Sequence, residues 1–118
     1  MLIGIHDANL ARSISRLAEA RHYESVVAPD LDELAAEART FGYSRIIMDA
    51  NFGFPGSPDI LPAVQIYEIV KPEMDKGLMK LLAISGSETV VKLAQARGVP
   101  AEIKGEVNML AFLKESTC

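Results

Sequence analysis

The fold depends on one stretch, Arg45-Ile46-Ile47-Met48-Asp49-Ala50-Asn51. Its apolar residues, Ile46–Met48, follow one another without polar interruption. A strand that is buried on both faces needs such a run, so the stretch predicts a central strand of a parallel sheet. Asp49 then lies at the carboxyl end of that strand, where open α/β sheets place their functional groups. Considered alone, however, Asp49 is also a typical residue for ending a strand and starting a turn.

The rest of the chain alternates between short apolar runs and helical patterns. The other predicted strands are Leu2–Ile5, Tyr23–Ala28, Leu78–Ile84 and Val99–Ile103. Each of the five strands is followed by a segment with apolar residues at helical spacing. Strands that alternate with helices through short links imply right-handed βαβ units and a parallel sheet covered on both faces. The sequence therefore predicts a single α/β domain, residues 1–118, with five strands and five helices.

Capping and turn residues predict where the helices begin and end. The predicted N-caps are Asn9, Asp30, Asp59 and Ser87. Gly42 is the predicted stop of the second helix, and Pro72 is expected to end or kink the third helix near Val70. The segment Asn51–Pro58, rich in Gly and Pro, is predicted to be a loop.

Composition excludes several classes of function. The chain has 118 residues, of which 49% are hydrophobic and 24% charged, with a net charge of −4. These values are typical of a globular, water-soluble domain. Without a cluster of Lys or Arg, direct binding to nucleic acid is not expected, and the apolar runs are too short to span a membrane. The single cysteine, Cys118, cannot form an internal disulfide or a Cys-based metal site, and the start of the chain lacks a signal-peptide pattern, so a cytoplasmic location is expected.

Chemically versatile side chains follow four of the predicted strands. Asp7 follows the first strand, Asp49 the third, Ser85 the fourth and Lys104 the fifth. Each has an ordinary alternative explanation, because Asp7 could cap a helix, Ser85 could form a turn and Lys104 could be a solvated surface residue. Parallel strands end at the same edge of a sheet, however, so two carboxylates, a hydroxyl and an ammonium group are expected to meet there.

This arrangement resembles the receiver domain of two-component response regulators over essentially the whole chain. The resemblance lies in residues 5–12, with His6-Asp7 at the family's acidic pair, and in residues 48–53, around the family's phosphoacceptor. It continues in residues 84–86, at the family's Thr/Ser, and in residues 103–104, at its lysine. It implies a flavodoxin-like (βα)5 three-layer sandwich with a five-stranded parallel sheet in the order 2-1-3-4-5.

The resemblance also implies a role for each residue at this edge. Asp49 would accept a phosphoryl group from a histidine kinase or a phosphotransfer protein. Mg²⁺ would be held by Asp7, by Asp49 and by the backbone carbonyl of Asn51. Lys104 would pair with a phosphoryl oxygen, and Ser85 would donate a hydrogen bond to the phosphate. The domain would regulate an output partner rather than act as an enzyme, beyond assisting its own phosphorylation and dephosphorylation.

Three residues depart from the family pattern. His6 replaces the first acid of the acidic pair, so it is expected to contact Mg²⁺ only through water and to weaken its binding. Gly105 replaces a proline that is often cis, and Ala101 replaces the aromatic switch residue. These departures support an alternative, a degenerate receiver that acts as a phosphorylation-independent protein-interaction module.

Two further surfaces are candidate partner contacts. Phe52 and Phe54 are expected either to contact a partner or to pack over the edge of the core. Met109 and Phe112 are candidate contacts of a homodimer.

A flavodoxin-like cofactor binder is disfavoured, because residues 6–13 contain no phosphate-binding glycines. A hydrolase built on Ser85 is also disfavoured, because the second histidine, His22, precedes the second strand, at the opposite edge of the sheet.

Overall fold

The computed structural model describes residues 1–40, 42–54, 59–105 and 107–113 of the chain. Its strands are β1 (Leu2–Gly4), β2 (Val26–Val27), β3 (Arg45–Asp49), β4 (Lys80–Ser85) and β5 (Ala101–Ile103). Its helices are α1 (Ala8–Ala20), α2 (Leu31–Ala38), α3 (Leu61–Asp75), α4 (Glu88–Ala96) and α5 (Met109–Leu113). Strands and helices alternate throughout, as the sequence predicts.

The five strands form one parallel sheet in the order β2-β1-β3-β4-β5. Strand β3 is central, with Ile47 paired to Ile3 of β1 and to Leu82 of β4. This topology is consistent with a flavodoxin-like fold, so the predicted fold class and strand order are confirmed. The order reverses between β1 and β3, and ligand sites of open α/β sheets lie at the carboxyl ends of strands at such a point.

Alternate residues of the central strands pack on opposite faces of the sheet. Ile46 and Met48 belong to the apolar cluster beneath α2, α3 and α4, whereas Ile47 belongs to the cluster with α1 and α5. All three side chains are fully buried. Burial on both faces explains why the run is continuous rather than alternating.

Strand β2 is shorter than predicted. The sequence predicts a strand over Tyr23–Ala28, but only Val26 and Val27 pair with β1. Both side chains are exposed, because β2 is the last strand at its edge of the sheet. An edge strand gains less from burial and needs less length than a central one.

Two predictions for the helix starts are wrong and two are confirmed. Helix α1 is capped by Asp7, not Asn9, since the Asp7 carboxylate accepts the N–H groups of Asn9 and Leu10. Asp30 and Ser87 cap α2 and α4 as predicted. Helix α3 has Ile60 at its N-cap, although the carboxylate of Asp59 accepts the N–H of Leu61.

Two predicted helix ends also differ from the structure. Helix α3 continues through Pro72 to Asp75, so the prediction that Pro72 ends it is wrong, and the alternative of a kink near Val70 stays a prediction. Pro72 cannot donate to the carbonyl of Glu68, but both residues are exposed, so water can satisfy that carbonyl. Helix α2 ends at Ala38, so Gly42 is not its stop. In the predicted loop after β3, residues 55–58 lie outside the described residues.

Among the described helices, none is long and apolar enough to cross a membrane.

Candidate functional site

Asp49 is a buried carboxylate at the carboxyl end of the central strand. Its side chain is only 2% exposed, in a position where burial of an unpaired charge would be strongly unfavourable. The parallel order of β1, β3, β4 and β5 brings the segments that follow these strands to this edge. The environment of Asp49 is therefore built by residues distant in sequence.

His6 makes two contacts with the same oxygen of Asp49. The backbone N–H of His6 donates to Asp49 Oδ2 at 2.7 Å, and His6 Nδ1 lies 3.1 Å from that oxygen. On the other side of the ring, the backbone N–H of Gly53 donates to His6 Nε2 at 2.8 Å. Because Nε2 accepts a hydrogen bond, the proton of the ring is assigned to Nδ1, the ring nitrogen that faces the carboxylate. His6 is therefore a neutral imidazole that bridges Asp49 and the loop after β3.

The ring of His6 also rests on a buried aromatic side chain. Its centroid lies 5.3 Å from that of Phe52, with the two planes inclined by 34°. Phe52 is 3% exposed, whereas Phe54 is 56% exposed. Of the two predicted partner contacts, Phe52 packs over the edge of the core and Phe54 is accessible.

Lys104 lies beside the second oxygen of Asp49. Its Nζ lies 2.8 Å from Asp49 Oδ1, and the lysine side chain is 36% exposed. The angles of this ion pair are not those of a hydrogen bond, and Oδ1 accepts no hydrogen bond from the described part of the chain. Lys104 is held at this edge by its backbone N–H, which donates to the carbonyl of Ser85 at 2.8 Å. Asp49 Oδ1 therefore faces a cation and accepts no hydrogen bond from the described residues.

Ser85 and Asp7 lie at the same edge but serve local structure. The Ser85 hydroxyl accepts the backbone N–H of Ser87 at 3.1 Å, in the turn that leads into α4. Its own hydroxyl proton is not used in that hydrogen bond. Asp7 is exposed and caps α1, with Oδ1 at 2.9 Å from the backbone nitrogen of Asn9 and 3.3 Å from that of Leu10. The alternative explanation of Asp7 as a helix cap describes its contacts in this structure.

The predicted Mg²⁺ ligands do not form a binding site for this ion. Both oxygens of Asp49 are in contact with His6 or Lys104, and Oδ1 of Asp7 caps a helix. The carbonyl of Asn51 accepts the N–H of Phe54 at 2.9 Å. Within the described ranges, no group of three or more His, Cys, Asp or Glu side chains is arranged to hold a metal ion. Mg²⁺ needs oxygen ligands in near-octahedral geometry, which this arrangement does not supply.

Two contacts of the site were not predicted from the sequence. One is the direct contact of His6 with Asp49, since the sequence placed His6 near a metal-bound water instead. The other is the Gly53 N–H, which reaches His6 from a backbone with φ of +92°, a conformation that favours glycine. The glycine in the loop after β3 was a visible signal, but its partner depends on how the loop turns back over β1.

The other predicted contact residues lie away from Asp49. Met109 and Phe112, the candidate dimer contacts, are partly buried and pack against the cluster beneath α1 and α5. A cavity of about 690 Å³ is bordered by Phe112, Met79, Leu82 and Pro100, among others. None of the predicted phosphoacceptor or metal residues borders it.

No known protein family, curated protein or solved structure matches this chain. Its function must therefore be inferred from the fold and from the geometry around Asp49.

Proposed function

We propose that this chain is a receiver-type signalling module in which Asp49 is the phosphoacceptor. The observation that carries the proposal is the position of Asp49 Oδ1, a buried carboxylate oxygen 2.8 Å from Lys104 Nζ with no hydrogen bond from the described residues. A carboxylate oxygen that accepts no hydrogen bond from these residues keeps a lone pair with which it could attack phosphorus once a donor reaches it. The adjacent ammonium group can offset charge that the incoming phosphoryl group brings.

In the proposed reaction, Asp49 Oδ1 attacks the phosphorus of a phosphohistidine on a kinase or phosphotransfer protein. The O–P bond forms as the P–N bond breaks, and the departing ring nitrogen takes the bonding electron pair and a proton from solvent. Lys104 pairs with a phosphoryl oxygen of the product. Ser85, at the end of the neighbouring strand, donates its hydroxyl proton to another phosphoryl oxygen. The aspartyl phosphate is the state that would be recognised by an output partner.

Mg²⁺ is given no part in this reaction. The resemblance to receiver domains implies a bound Mg²⁺, as the family pattern has it, and for this chain the ion stays a prediction. Each of its expected ligands already has a contact within the protein, with Oδ1 of Asp7 at the helix cap and both oxygens of Asp49 beside His6 or Lys104.

Intact-mass measurement after treatment with acetyl phosphate tests the proposal. Acetyl phosphate transfers its phosphoryl group with acetate as the leaving group, so no protein donor is needed. We expect one phosphoryl adduct on the wild-type chain and none on Asp49→Asn. Asp32→Asn, which changes an exposed carboxylate on α2, is the matched control and should be labelled like the wild type. An unlabelled wild type, or a labelled Asp49→Asn, would contradict the proposal.

One observation favours a second candidate, a phosphorylation-independent interaction module. The Asp49 side chain is only 2% exposed, and His6 covers the oxygen that Lys104 does not. Under this candidate the closed site is a structural element, and partners bind another surface irrespective of phosphate. Beryllofluoride, a phosphoryl mimic, distinguishes the two candidates when it is added during amide NMR. Shifts concentrated at Asp7, Asp49 and Lys104 would support the phosphoacceptor, and unchanged amides would support the second candidate.

A further inference from the structure

We infer that His6 is a positioning residue that acts as a latch by fixing the Asp49 carboxylate in place. We also infer that His6 occupies the position that a divalent cation would need beside this carboxylate. The name latch refers here to the bridge from Asp49 Oδ2 through the imidazole of His6 to the N–H of Gly53. The inference deepens the proposed function and rests on it only for the role of Asp49 as phosphoacceptor.

The latch accounts for one entire oxygen of Asp49. Oδ2 receives both the backbone N–H and the Nδ1 side of His6, at 2.7 and 3.1 Å. A metal ion that bound Oδ2 would have to displace at least one of these donors. The other oxygen faces Lys104, whose positive charge repels a cation. Asp49 and Lys104 balance in charge and His6 is neutral, so no net negative charge from these three residues attracts a divalent ion.

The latch also holds the loop after β3 at a defined point. Phe52 is anchored in the core, where its ring lies under the imidazole, and Phe54 is exposed. Gly53 stands between them, and its N–H is the one that His6 accepts. Loss of the latch should therefore loosen Gly53 without releasing Phe52.

Two substitutions separate the two halves of the bridge. In His6→Asn the side-chain amide can take the place of Nδ1 beside Asp49 but cannot reach Gly53. In His6→Gln the longer side chain can offer its oxygen in place of Nε2 to Gly53 while losing the donor beside Asp49. A merely space-filling role for His6 would not distinguish these two variants. His22→Asn is the matched control, because it removes the exposed second histidine at a left-handed position that asparagine tolerates.

The first measurement is amide hydrogen exchange at Gly53 in the full chain. Loss of one hydrogen bond should accelerate exchange by roughly three- to tenfold in His6→Asn. His6→Gln and His22→Asn should exchange at Gly53 like the wild type. An unchanged Gly53 exchange rate in His6→Asn would overturn the latch.

The second measurement uses Mn²⁺ as a paramagnetic probe of cation binding. His6→Asp removes the latch and places a second carboxylate beside Asp49, so its amide signals at residues 49–51 should broaden at low Mn²⁺ concentration. The wild type and His22→Asn should need at least about tenfold more Mn²⁺, since they keep the imidazole and lack that carboxylate. Equal broadening of wild type and His6→Asp would overturn the claim that His6 excludes the cation. Thermal unfolding of each variant, followed by circular dichroism, verifies that it is folded.

These measurements fail separately from the proposed function, because neither uses a phosphodonor. If exchange and Mn²⁺ binding behave as expected but Asp49 is never phosphorylated in any variant, the latch stands and the phosphoacceptor proposal falls. If the wild type is phosphorylated on Asp49 but binds Mn²⁺ as well as His6→Asp does, the phosphoacceptor stands and the claim that His6 excludes the cation falls.

Discussion

At the scale of single residues, His6 and Lys104 divide the two oxygens of Asp49 between them. His6 contacts Oδ2 through a backbone and a ring nitrogen, and Lys104 faces Oδ1. The two contacts differ in kind, because the first combines a backbone hydrogen bond with a close ring nitrogen and the second is an ion pair. Lys104 is therefore the residue that compensates the negative charge of the buried Asp49 carboxylate.

Loss of the Lys104 charge should destabilise the fold. Lys104→Gln leaves the Asp49 carboxylate buried without a cation, and we expect a loss of about 1–2 kcal/mol in the free energy of unfolding. This range lies below that of a fully buried pair because the lysine is partly exposed. Urea denaturation at neutral pH measures the change.

Two other lysine substitutions serve as controls for Lys104→Gln. Lys104→Arg keeps the charge and should retain most of the stability. Lys92→Gln removes an exposed ion pair with Glu88 and should change the free energy by less than about 0.5 kcal/mol. Equal effects of Lys104→Gln and Lys92→Gln would contradict the account.

The residues of the site were predictable to different degrees. Asp49 and Lys104 could be placed at one edge because each directly follows a predicted strand, and a strand end is visible in sequence. The contact between His6 and Asp49 was not, since it depends on the turn after β1, which directs both the N–H and the ring of His6 to one oxygen. For Asp7 the sequence allowed two interpretations, a Mg²⁺ ligand or a helix cap. Its hydrogen bonds from the N–H groups of Asn9 and Leu10 are those of a helix cap.

At the scale of secondary structure, Gly4 at the end of β1 determines how closely α2 and the loop after β3 approach the sheet. A Cβ at this position would lie 2.7 Å from a methyl group of Leu34 and 3.2 Å from the ring of Phe52. Phe52 in turn supports the ring of His6. The glycine thus links the packing of α2 to the site.

Gly4→Ala should therefore cost about 1–3 kcal/mol of stability through overpacking. It should also accelerate amide exchange at Gly53, because a displaced Phe52 no longer supports His6. Gly86→Ala is the matched control, since a Cβ there meets no atom within 4 Å. Urea denaturation together with amide exchange checks both effects, and a Gly4→Ala protein as stable as Gly86→Ala would refute this explanation.

Tyr43 connects the end of α2 to the segment before β3 and gives this link a pH dependence. Its hydroxyl donates to the carboxylate of Glu37 at 2.6 Å. Burial, followed by this hydrogen bond and the Glu37 charge, raises the pKa of Tyr43 from 10.0 to about 12. The folded state holds the phenolic proton more tightly than the unfolded state, so the stabilisation is complete below pH 10 and is lost as the pH rises towards 12.

Tyr43→Phe should remove this dependence. The wild type should be more stable than the variant below pH 10, and the difference should shrink progressively up to about pH 12. Urea denaturation of both proteins across this range measures it. A difference that stays constant with pH would show that Tyr43 does not titrate as described.

The elements themselves followed from sequence where periodicity and burial agree. The central strand and the caps Asp30 and Ser87 were predicted correctly. Strand β2 was overestimated because an apolar, β-branched run does not reveal that only one neighbour pairs with it. Helix α3 passes Pro72 because the carbonyl left without a partner is on the exposed side, which a local pattern does not specify.

At the scale of the whole molecule, the strand order converts four scattered segments into one site. The order 2-1-3-4-5 was predictable because alternating elements with short connections allow few topologies, and the resemblance to receiver domains selects this one. The fold fixes where the carboxyl ends of the strands lie, but function depends on the side chains placed there. The proposed phosphoacceptor role thus rests on the contacts of Asp49 with residues that follow β1 and β5.

The most direct test of this role is the chemical identity of the labelled residue. After treatment with acetyl phosphate, neutral hydroxylamine cleaves an acyl phosphate by attack on its carbonyl carbon, which releases phosphate and leaves a hydroxamate, whereas phosphate esters of serine or tyrosine do not react. Peptide mass analysis of the treated chain should find the hydroxamate on Asp49 and on no other carboxylate. A chain without hydroxamate, or with the hydroxamate on another residue, would contradict the assignment of Asp49 as the phosphoacceptor.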